Sequence, residues 1–211
     1  MQKFLIGDFD KDKQEIFNYV KSKKEQGEFR VIDIGGWANG WTKDISDMIV
    51  DINEQDTEKT MSLNVCSSLD KLLNYVETNG LFDYCICSHT LEDLYNPYLL
   101  MENFHKIAKA GVIMVPFWKT ELTYVENEYW KGYQHHRYMF KEVGNCGEIL
   151  IIPKMPFLEK FGNYNAGVLN TKVEWEGEVK FKIFMDNYLG PNIITVLKTF
   201  NDELELGLTI Q

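Results

Sequence analysis

Short apolar runs alternate with amphipathic stretches along the first half of the chain. The apolar runs predict buried strands at about 29–34, 47–52, 62–66, 82–88 and 112–116. Between several of them, apolar side chains recur at helical spacing and predict helices near 11–26, 68–78 and 97–110. Alternation of this kind is typical of an α/β domain with a doubly wound, mostly parallel sheet.

The ends of the predicted helices carry residues that helix ends prefer. Ser67 is placed to cap the second helix, and Asn79–Gly80 would end that helix in a left-handed conformation. Pro97 would begin the third helix, where its missing N–H costs nothing. Gly111 would end the third helix, with Lys109 near the negative end of the helix dipole.

The first apolar run ends in a glycine turn, Val31-Ile32-Asp33-Ile34-Gly35-Gly36-Trp37. Glycine at the carboxyl end of a buried strand lets a ligand approach the backbone without a side chain in the way. Gly35 and Gly36 therefore mark a place where a nucleotide-like molecule could lie across the strand end.

Two further strands end in polar residues. Asp51 closes the second apolar run, where an acid can accept hydrogen bonds from both hydroxyls of a ribose. A later run breaks into a polar turn at Ser88–His89. Because the carboxyl ends of parallel strands meet at one edge of a sheet, the three turns together predict a single binding site.

These segments resemble class I S-adenosylmethionine-dependent methyltransferases of the small-molecule type. The resemblance covers residues 29–118 and depends on the glycine turn, the acid that follows, and the segments FDYCICSHTLED and LLMENFHKIAKAGVIMVP. It implies a Rossmann-like fold, methyl transfer as the reaction and S-adenosylmethionine as the cofactor. The cofactor contacts that it implies are at Asp33, Gly35, Gly36, Trp37, Asp51, Asn64 and Ser88.

Three of these residues have separate roles in the resemblance. Asp33 would hold the cofactor's amino group, Asp51 its ribose, and Asn64 its adenine amine. Two of them also have an ordinary structural interpretation. Asp51 could instead cap a turn, and Asn64 could be a strand-end amide without a ligand.

The chain departs from the family pattern around the glycine turn. Trp37 and Asn39 stand where the family carries its second and third glycine. The 18 residues from Asp33 to Asp51 are too few for a turn, a full helix and a strand. We therefore expect a shortened first crossover helix. Trp37 or Trp41 would then either form an aromatic wall near the cofactor or pack over the sheet.

Regular alternation stops after the strand at 112–116. The aromatic-rich segment at about 117–147 lacks a clean period and predicts a substrate loop inserted in a single methyltransferase-like domain, 1–211. A strand is expected at 146–153, and the alternation over 173–185 predicts a hairpin or a terminal antiparallel strand. A last helix would begin after residue 190.

Two adjacent histidines in the inserted segment are the candidate catalytic residues. An oxygen acceptor needs a base near neutral pH, and histidine is the natural choice. His136, or failing that His135, would take this role. We expect at most one to face the cleft, because adjacent side chains of an extended segment point to opposite sides. Alternatively, both tie the segment down, while Arg137 could clamp an anionic group of the acceptor.

Charge, apolar runs and cysteine spacing indicate which partners and which cellular compartment to expect. The formal net charge of −10 and the scattered basic residues argue against a nucleic-acid substrate. No apolar run approaches the roughly 20 residues of a membrane span, and the first residues do not resemble a secretion signal. The four cysteines lack zinc-binding spacing. We therefore expect a cytoplasmic protein without a membrane partner or a metal.

Three functions are compatible with these observations. The first is a methyltransferase that modifies a small-molecule or glycan acceptor, most simply at oxygen, since an aromatic loop suits stacking on a sugar ring. The second is a non-catalytic methyltransferase-like fold that binds a ligand or partner, which Trp37 and Asn39 would explain. The third is an RNA ribose 2′-O-methyltransferase, because Asn39–Thr42 is similar to a Gly-Gly-Trp-Ser stretch of that family.

Overall fold

A mixed seven-stranded sheet forms the central layer of the molecule. The computed structural model describes residues 2–123, 125–127, 130–144, 147–155, 167–184, 198–199 and 201–202. In chain order its elements are β1 (Lys3–Gly7), α1 (Phe9–Gln26), β2 (Val31–Ile34), β3 (Met48–Asp51), β4 (Thr60–Ser62), α2 (Leu69–Asn79), β5 (Phe82–Ser88), α3 (Pro97–Ile107), β6 (Ala108–Pro116), α4 (Trp118–Thr123), β7 (Val125–Asn127), β8 (Trp130–Lys131), β9 (Tyr138–Val143), β10 (Glu148–Pro153), β11 (Asn170–Glu176) and β12 (Phe181–Ile183).

The spatial order of the main sheet is β1-β11-β6-β5-β2-β3-β4. The strands β2 to β6 are mutually parallel, and β11 runs antiparallel to both of its neighbours. Read from β2, the five parallel strands have the 3-2-1-4-5 order of a Rossmann-like fold, which reverses direction between β2 and β5. The α/β fold with a terminal antiparallel strand is therefore confirmed. The edge strand β1 was not predicted from the sequence.

Side chains that alternate along the strands separate into two packed layers. On one face, Ile32 and Ile34 of β2 belong to the large core cluster that includes residues of α2 and α3. On the other face, Val31 packs in a smaller cluster with Ile16 and Val20 of α1. Helices thus cover both faces of the sheet, as a doubly wound architecture requires. No helix in the described parts of the chain is long and apolar enough to cross a membrane.

The connection between β2 and β3 contains no helix, only a series of turns over 38–45. This confirms the expected shortening of the first crossover. Ile45 and Trp41 of these turns pack in the cluster that α1 provides, so the amino-terminal helix covers the sheet face that the missing helix would otherwise protect.

Two of the predicted helix ends are wrong. The cap residue of α2 is Ser68 rather than Ser67, and its side chain makes no capping hydrogen bond. At the other end Gly80 stops the helix as predicted, with its N–H donating to Val76 O. Helix α3 begins at Pro97 as predicted but ends at Ile107. Gly111 lies instead within β6, which is long because it pairs with both β5 and β11.

Regular elements occur within the segment at 117–147, where the sequence predicts a substrate loop. It contains α4, the short β7–β8 hairpin and β9, which pairs antiparallel with β10 of a second sheet ordered β12-β10-β9. Phe140, Ile149 and Ile151 of this sheet belong to the main core cluster. The alternation over 173–185 is divided between the sheets, since β11 joins the large one and β12 the small one. The predicted last helix lies largely outside the described residues.

Candidate functional site

The turns after β2 and β5 meet in close contact at the point where the sheet order reverses. Gly35 has φ +85° and donates its N–H to Val50 O at 2.7 Å. Thr90 donates its hydroxyl to Ile34 O at 3.3 Å and to Ser88 O at 3.1 Å. A Cβ atom at position 35 would overlap the Thr90 side chain. Glycine is therefore required here by both backbone conformation and space.

A cleft of about 200 Å³ opens beside this contact. Its polar lining comes from the ends of four strands and from the second sheet: Gly35, Asp51, Asn64, Thr90, Asp93 and Arg137. Its apolar lining includes Ile52, Leu63, Val65, Leu94 and Tyr95. A concave, largely apolar wall with a few converging polar groups at a switch point is the usual form of a ligand site in such sheets.

Three of the predicted cofactor residues line this cleft together. Asp51 ends β3, and its Oδ1 accepts a hydrogen bond from Asn53 N at 2.8 Å. Asn64 follows β4, and its Oδ1 accepts from Cys66 N at 3.0 Å. Both side chains therefore close a local turn and also face the cleft, so the structural and the binding interpretations are compatible at each residue. Gly35 is the third.

Asp33 lies under the glycine turn and not on the wall of the cleft. It is buried, and its Oδ2 accepts a hydrogen bond from the Thr42 hydroxyl. Its Oδ1 has no hydrogen-bond partner in the described structure. Burial raises the pKa of Asp33 to about 7, with a smaller contribution from the charge of Asp51, while the Thr42 bond acts in the opposite direction.

The remaining predicted cofactor residues surround the cleft without lining it. Gly36 packs so closely on Asp33 that a Cβ atom would overlap the carboxylate. The side chain of Trp37 is 67% exposed and lies against Gly40. Ser88 ends β5, where its carbonyl accepts from Thr90.

Both candidate catalytic histidines approach the same carboxylate. Asp93 Oδ1 lies 3.8 Å from Nε2 of His135 and 3.8 Å from Nε2 of His136. Both histidines approach this carboxylate because they lie at a turn rather than on an extended strand, and neither of them is part of the cleft lining. The turn is closed by the His136 N–H, which donates to Tyr133 O at 3.3 Å. We call Asp93, His135 and His136 the histidine–aspartate cluster.

A buried carboxylate holds His136 in place. Glu121 Oε1 lies 2.6 Å from His136 Nδ1, and Glu121 Oε2 accepts from Lys154 Nζ at 3.0 Å. Burial acts to lower the pKa of His136, but the hydrogen bond and charge of Glu121 outweigh it and leave that pKa raised. Burial likewise acts to raise the pKa of Glu121, yet His136 and Lys154 leave it lowered. Both shifts favour the charged pair.

A second buried carboxylate, Glu92, precedes the cluster. Its carbonyl accepts from Arg137 N at 2.6 Å, which ties the turn after β5 to the histidine segment. Its side chain is fully buried, and neither carboxylate oxygen has a hydrogen-bond partner in the described structure. His89 Nδ1 lies 3.3 Å from Glu92 Oε1 without hydrogen-bond geometry. The charge of Glu92 contributes to raising the pKa of Asp93, after burial, and that of His136.

Sequence reasoning missed most of these supporting residues. Glu92 and Asp93 follow β5 directly in the polar turn, so their position after a strand was the available signal. Glu121 is central here, although no spacing in the sequence marks it out. Lys154 gave no signal, and Thr42 gave none for its contact with Asp33, because only the folded chain brings them to their partners.

Comparison with known proteins finds similarity to solved structures only. No protein-family model matches the chain, and no curated protein matches it. The chain is similar to the N-terminal domain of EvdMO1 with SAH bound, at TM-score 0.35 and 13% identity over 76% of this chain and 65% of that domain.

Two further solved structures are similar to the chain. The plantazolicin methyltransferase BpumL, in complex with a pentazolic desmethylPZN analog and SAH, gives TM-score 0.43 and 13% identity over 79% of this chain and 84% of that one. The small RNA methyltransferase HEN1 gives TM-score 0.41 and 12% identity over 80% of this chain and 26% of that one. The strand order and the cleft at its reversal thus identify the chain as a Rossmann-like α/β protein.

The buried Asp33 predicts a pH-dependent difference in stability. The unfolded chain ionises this group near its ordinary pKa of 3.8, whereas the folded protein retains the proton up to about 7. The contribution of Asp33 to the stability of the wild-type protein should therefore fall as pH rises between these values. Asp33→Asn cannot ionise, so its free energy of unfolding relative to wild type should rise by roughly 4 kcal/mol between pH 4 and 7 and then stay level. Urea unfolding of both proteins at several pH values measures this difference in the free energy of unfolding. A difference that does not change with pH would contradict the prediction.

Proposed function

We propose that the chain is an S-adenosylmethionine-dependent methyltransferase that acts on a small-molecule or glycan acceptor. The observation that carries the proposal is the shared cleft. One wall presents Gly35, Asp51 and Asn64 at strand ends, and the other presents Asp93 of the histidine–aspartate cluster. A cofactor held at the first wall would thus stand beside groups able to act on an acceptor.

The strand-end wall suits the nucleoside part of the cofactor. The carboxylate of Asp51 would accept hydrogen bonds from the ribose hydroxyls, and the amide of Asn64 would contact the adenine amine. The apolar side chains of Ile52, Leu63 and Leu94 line the same cleft and would cover the adenine ring. The sulfonium of the cofactor is a cation, and Asp51 and Asp93 make the cleft favourable for positive charge.

The other predicted cofactor residues would act from around the cleft. Asp33 would support the glycine turn through Thr42, and its unpartnered Oδ1 is the atom that could receive the cofactor's amino group. Gly36 and Ser88 would contribute backbone groups, and Trp37 an exposed aromatic face beside the turn. These residues are proposed cofactor contacts although none of them lines the cleft.

Acceptor activation would take place at the histidine–aspartate cluster. In transfer to oxygen, the acceptor gives its hydroxyl proton to a histidine of the cluster, and its oxygen bonds to the methyl carbon. The carbon–sulfur bond breaks and its electron pair returns to sulfur, which gives S-adenosylhomocysteine. Asp93 joins the cluster to the cleft, while the exposed His135 and Arg137 are open to an incoming acceptor. A net charge of −10 favours a small acceptor over a polyanionic RNA.

Calorimetric titration with S-adenosylmethionine and S-adenosylhomocysteine tests the cofactor assignment. We expect binding of one molecule per chain in the micromolar range, on the order of −8 kcal/mol. The absence of heat and of any thermal shift at millimolar ligand would instead support the non-catalytic binding fold.

Substitutions at Asp51 separate its binding role from its role in the turn. Asp51→Ala should weaken binding of S-adenosylhomocysteine by roughly 1.5–3 kcal/mol, the scale of a lost charge-assisted hydrogen bond. Asp51→Asn is the matched control, since an amide oxygen can still accept from Asn53 N and preserve the turn. If either variant lowers the melting temperature while the affinity stays at the wild-type value, Asp51 is only a turn cap.

Substitution of the histidines tests acceptor activation. His136→Ala, or failing that His135→Ala, should lower turnover by about 10²–10⁴-fold, while the affinity for S-adenosylhomocysteine changes by less than about threefold. Turnover is measured as S-adenosylhomocysteine released with a panel of sugars and other hydroxyl compounds. His105→Ala, on α3, is the control. Because His136 pairs with buried Glu121, the more exposed His135 gives the cleaner comparison. Unchanged turnover in both variants would remove the histidines from the mechanism.

A further inference from the structure

The spacing within the histidine–aspartate cluster does not correspond to hydrogen bonding. The two distances of 3.8 Å from Asp93 Oδ1 to the imidazole nitrogens exceed the range of a hydrogen bond. Ligands bound at 2.0–2.2 Å to one tetrahedral metal ion stand about 3.3–3.6 Å from each other. One ligand atom from each of the three residues lies within 4.8 Å of the others. Small side-chain movements would therefore bring all three atoms onto one ion.

The buried Glu92 supplies an independent reason for a cation at this place. Its side chain is fully buried, with no hydrogen-bond partner for either oxygen in the described part of the chain. It is adjacent to Asp93 in the chain, and its carbonyl accepts from Arg137 N at 2.6 Å, so it stands beside the cluster. A buried carboxylate without hydrogen bonds is costly. A metal ion bound by its neighbours would compensate that charge.

The partner of His136 has the form expected around a metal ligand. Glu121 binds Nδ1 of the ring and so leaves Nε2 directed at Asp93. Histidines that bind metals usually donate their second ring N–H to a carboxylate or carbonyl, which fixes the orientation of the ring. Lys154 and the backbone N–H of Tyr133 in turn hold Glu121. The orienting group is thus itself well anchored.

We propose that Asp93, His135 and His136 bind one divalent transition-metal ion, with Glu92 as an additional carboxylate beside it. Two imidazoles with carboxylate oxygens suit Zn²⁺, Fe²⁺, Co²⁺ or Mn²⁺ better than Ca²⁺ or Mg²⁺, which prefer oxygen ligands alone. The cysteine spacing gave no indication of this site, because its ligands are oxygen and nitrogen atoms from two distant segments. Three protein ligands leave a position open for another molecule.

The function of the ion follows from its position and rests on the proposed function. Asp93 borders the cleft, so the open position of the ion would face the acceptor. An acceptor hydroxyl bound there would lose its proton more readily, with the proton released to solvent, and its oxygen would be fixed for attack on the methyl carbon. The histidines would then act as ligands of the ion rather than as proton acceptors.

Metal titration tests the site without cofactor or acceptor. Chelator-treated protein is titrated with Zn²⁺ by calorimetry and with Co²⁺ by visible absorption. We expect one ion per chain with micromolar or tighter affinity, and absorption bands typical of Co²⁺ bound to nitrogen and oxygen in fewer than six positions. The absence of binding at roughly 100 μM of either ion would overturn the proposal. The proposed methyl transfer would be unaffected by that result, since cofactor binding is measured separately.

Substitutions inside and outside the histidine–aspartate cluster test where the ion binds. Asp93→Asn and His135→Ala should each weaken Zn²⁺ binding at least tenfold, whereas His105→Ala, outside the cluster, should leave it unchanged. Glu92→Gln removes the buried charge, so it should raise the melting temperature of the chelated protein and reduce the further rise that Zn²⁺ produces. Binding that survives both Asp93→Asn and His135→Ala would show that the ion is held elsewhere, and the proposal would fail.

Discussion

The turns after β2 and β5 can meet only because position 35 carries no side chain. Thr90 occupies the space that a Cβ atom would need, and its hydroxyl bonds to carbonyls of both strands. The N–H of Gly35 ties the same point to β3 through Val50. Because three strand ends are fixed together here, Asp51 and Asp93 stand on the walls of one cleft. The candidate site is a consequence of this contact.

Three buried acidic groups at this edge of the sheet differ in how their burial is compensated. Asp33 is buried next to a hydroxyl, and its raised pKa allows it to remain protonated near pH 7. Glu121 remains charged because His136 and Lys154 pair with it. Glu92 has no hydrogen-bond partner within the described structure, although His89 Nδ1 lies 3.3 Å from its Oε1. An edge with this surplus of negative charge favours cations, which suits both a sulfonium cofactor and the proposed metal ion.

The second sheet is part of the site rather than a cover over it. Phe140 and Ile151 anchor it in the main core, and the backbone N–H of Arg137 bonds to the carbonyl of Glu92 at 2.6 Å. Lys154 connects β10's end to Glu121 of α4. The histidines therefore stand on a packed framework, which is the condition for placing catalytic or metal-binding groups accurately.

The sequence by itself determined the parts of this protein that depend on local periodicity. Apolar runs and helical spacing predicted the parallel strands, although β4 lies at Thr60–Ser62 instead of 62–66 and β6 begins at Ala108, within the predicted third helix. The short interval before Asp51 predicted the missing crossover helix. Strand-end positions also identified Gly35, Asp51 and Asn64, because parallel strands bring their carboxyl ends to one edge. Only the tertiary structure decided what came from distant segments. It placed β1 at the sheet edge, brought both histidines to Asp93 through a turn, and paired Glu121 with His136. Such contacts join residues far apart in the chain, and no local pattern records them.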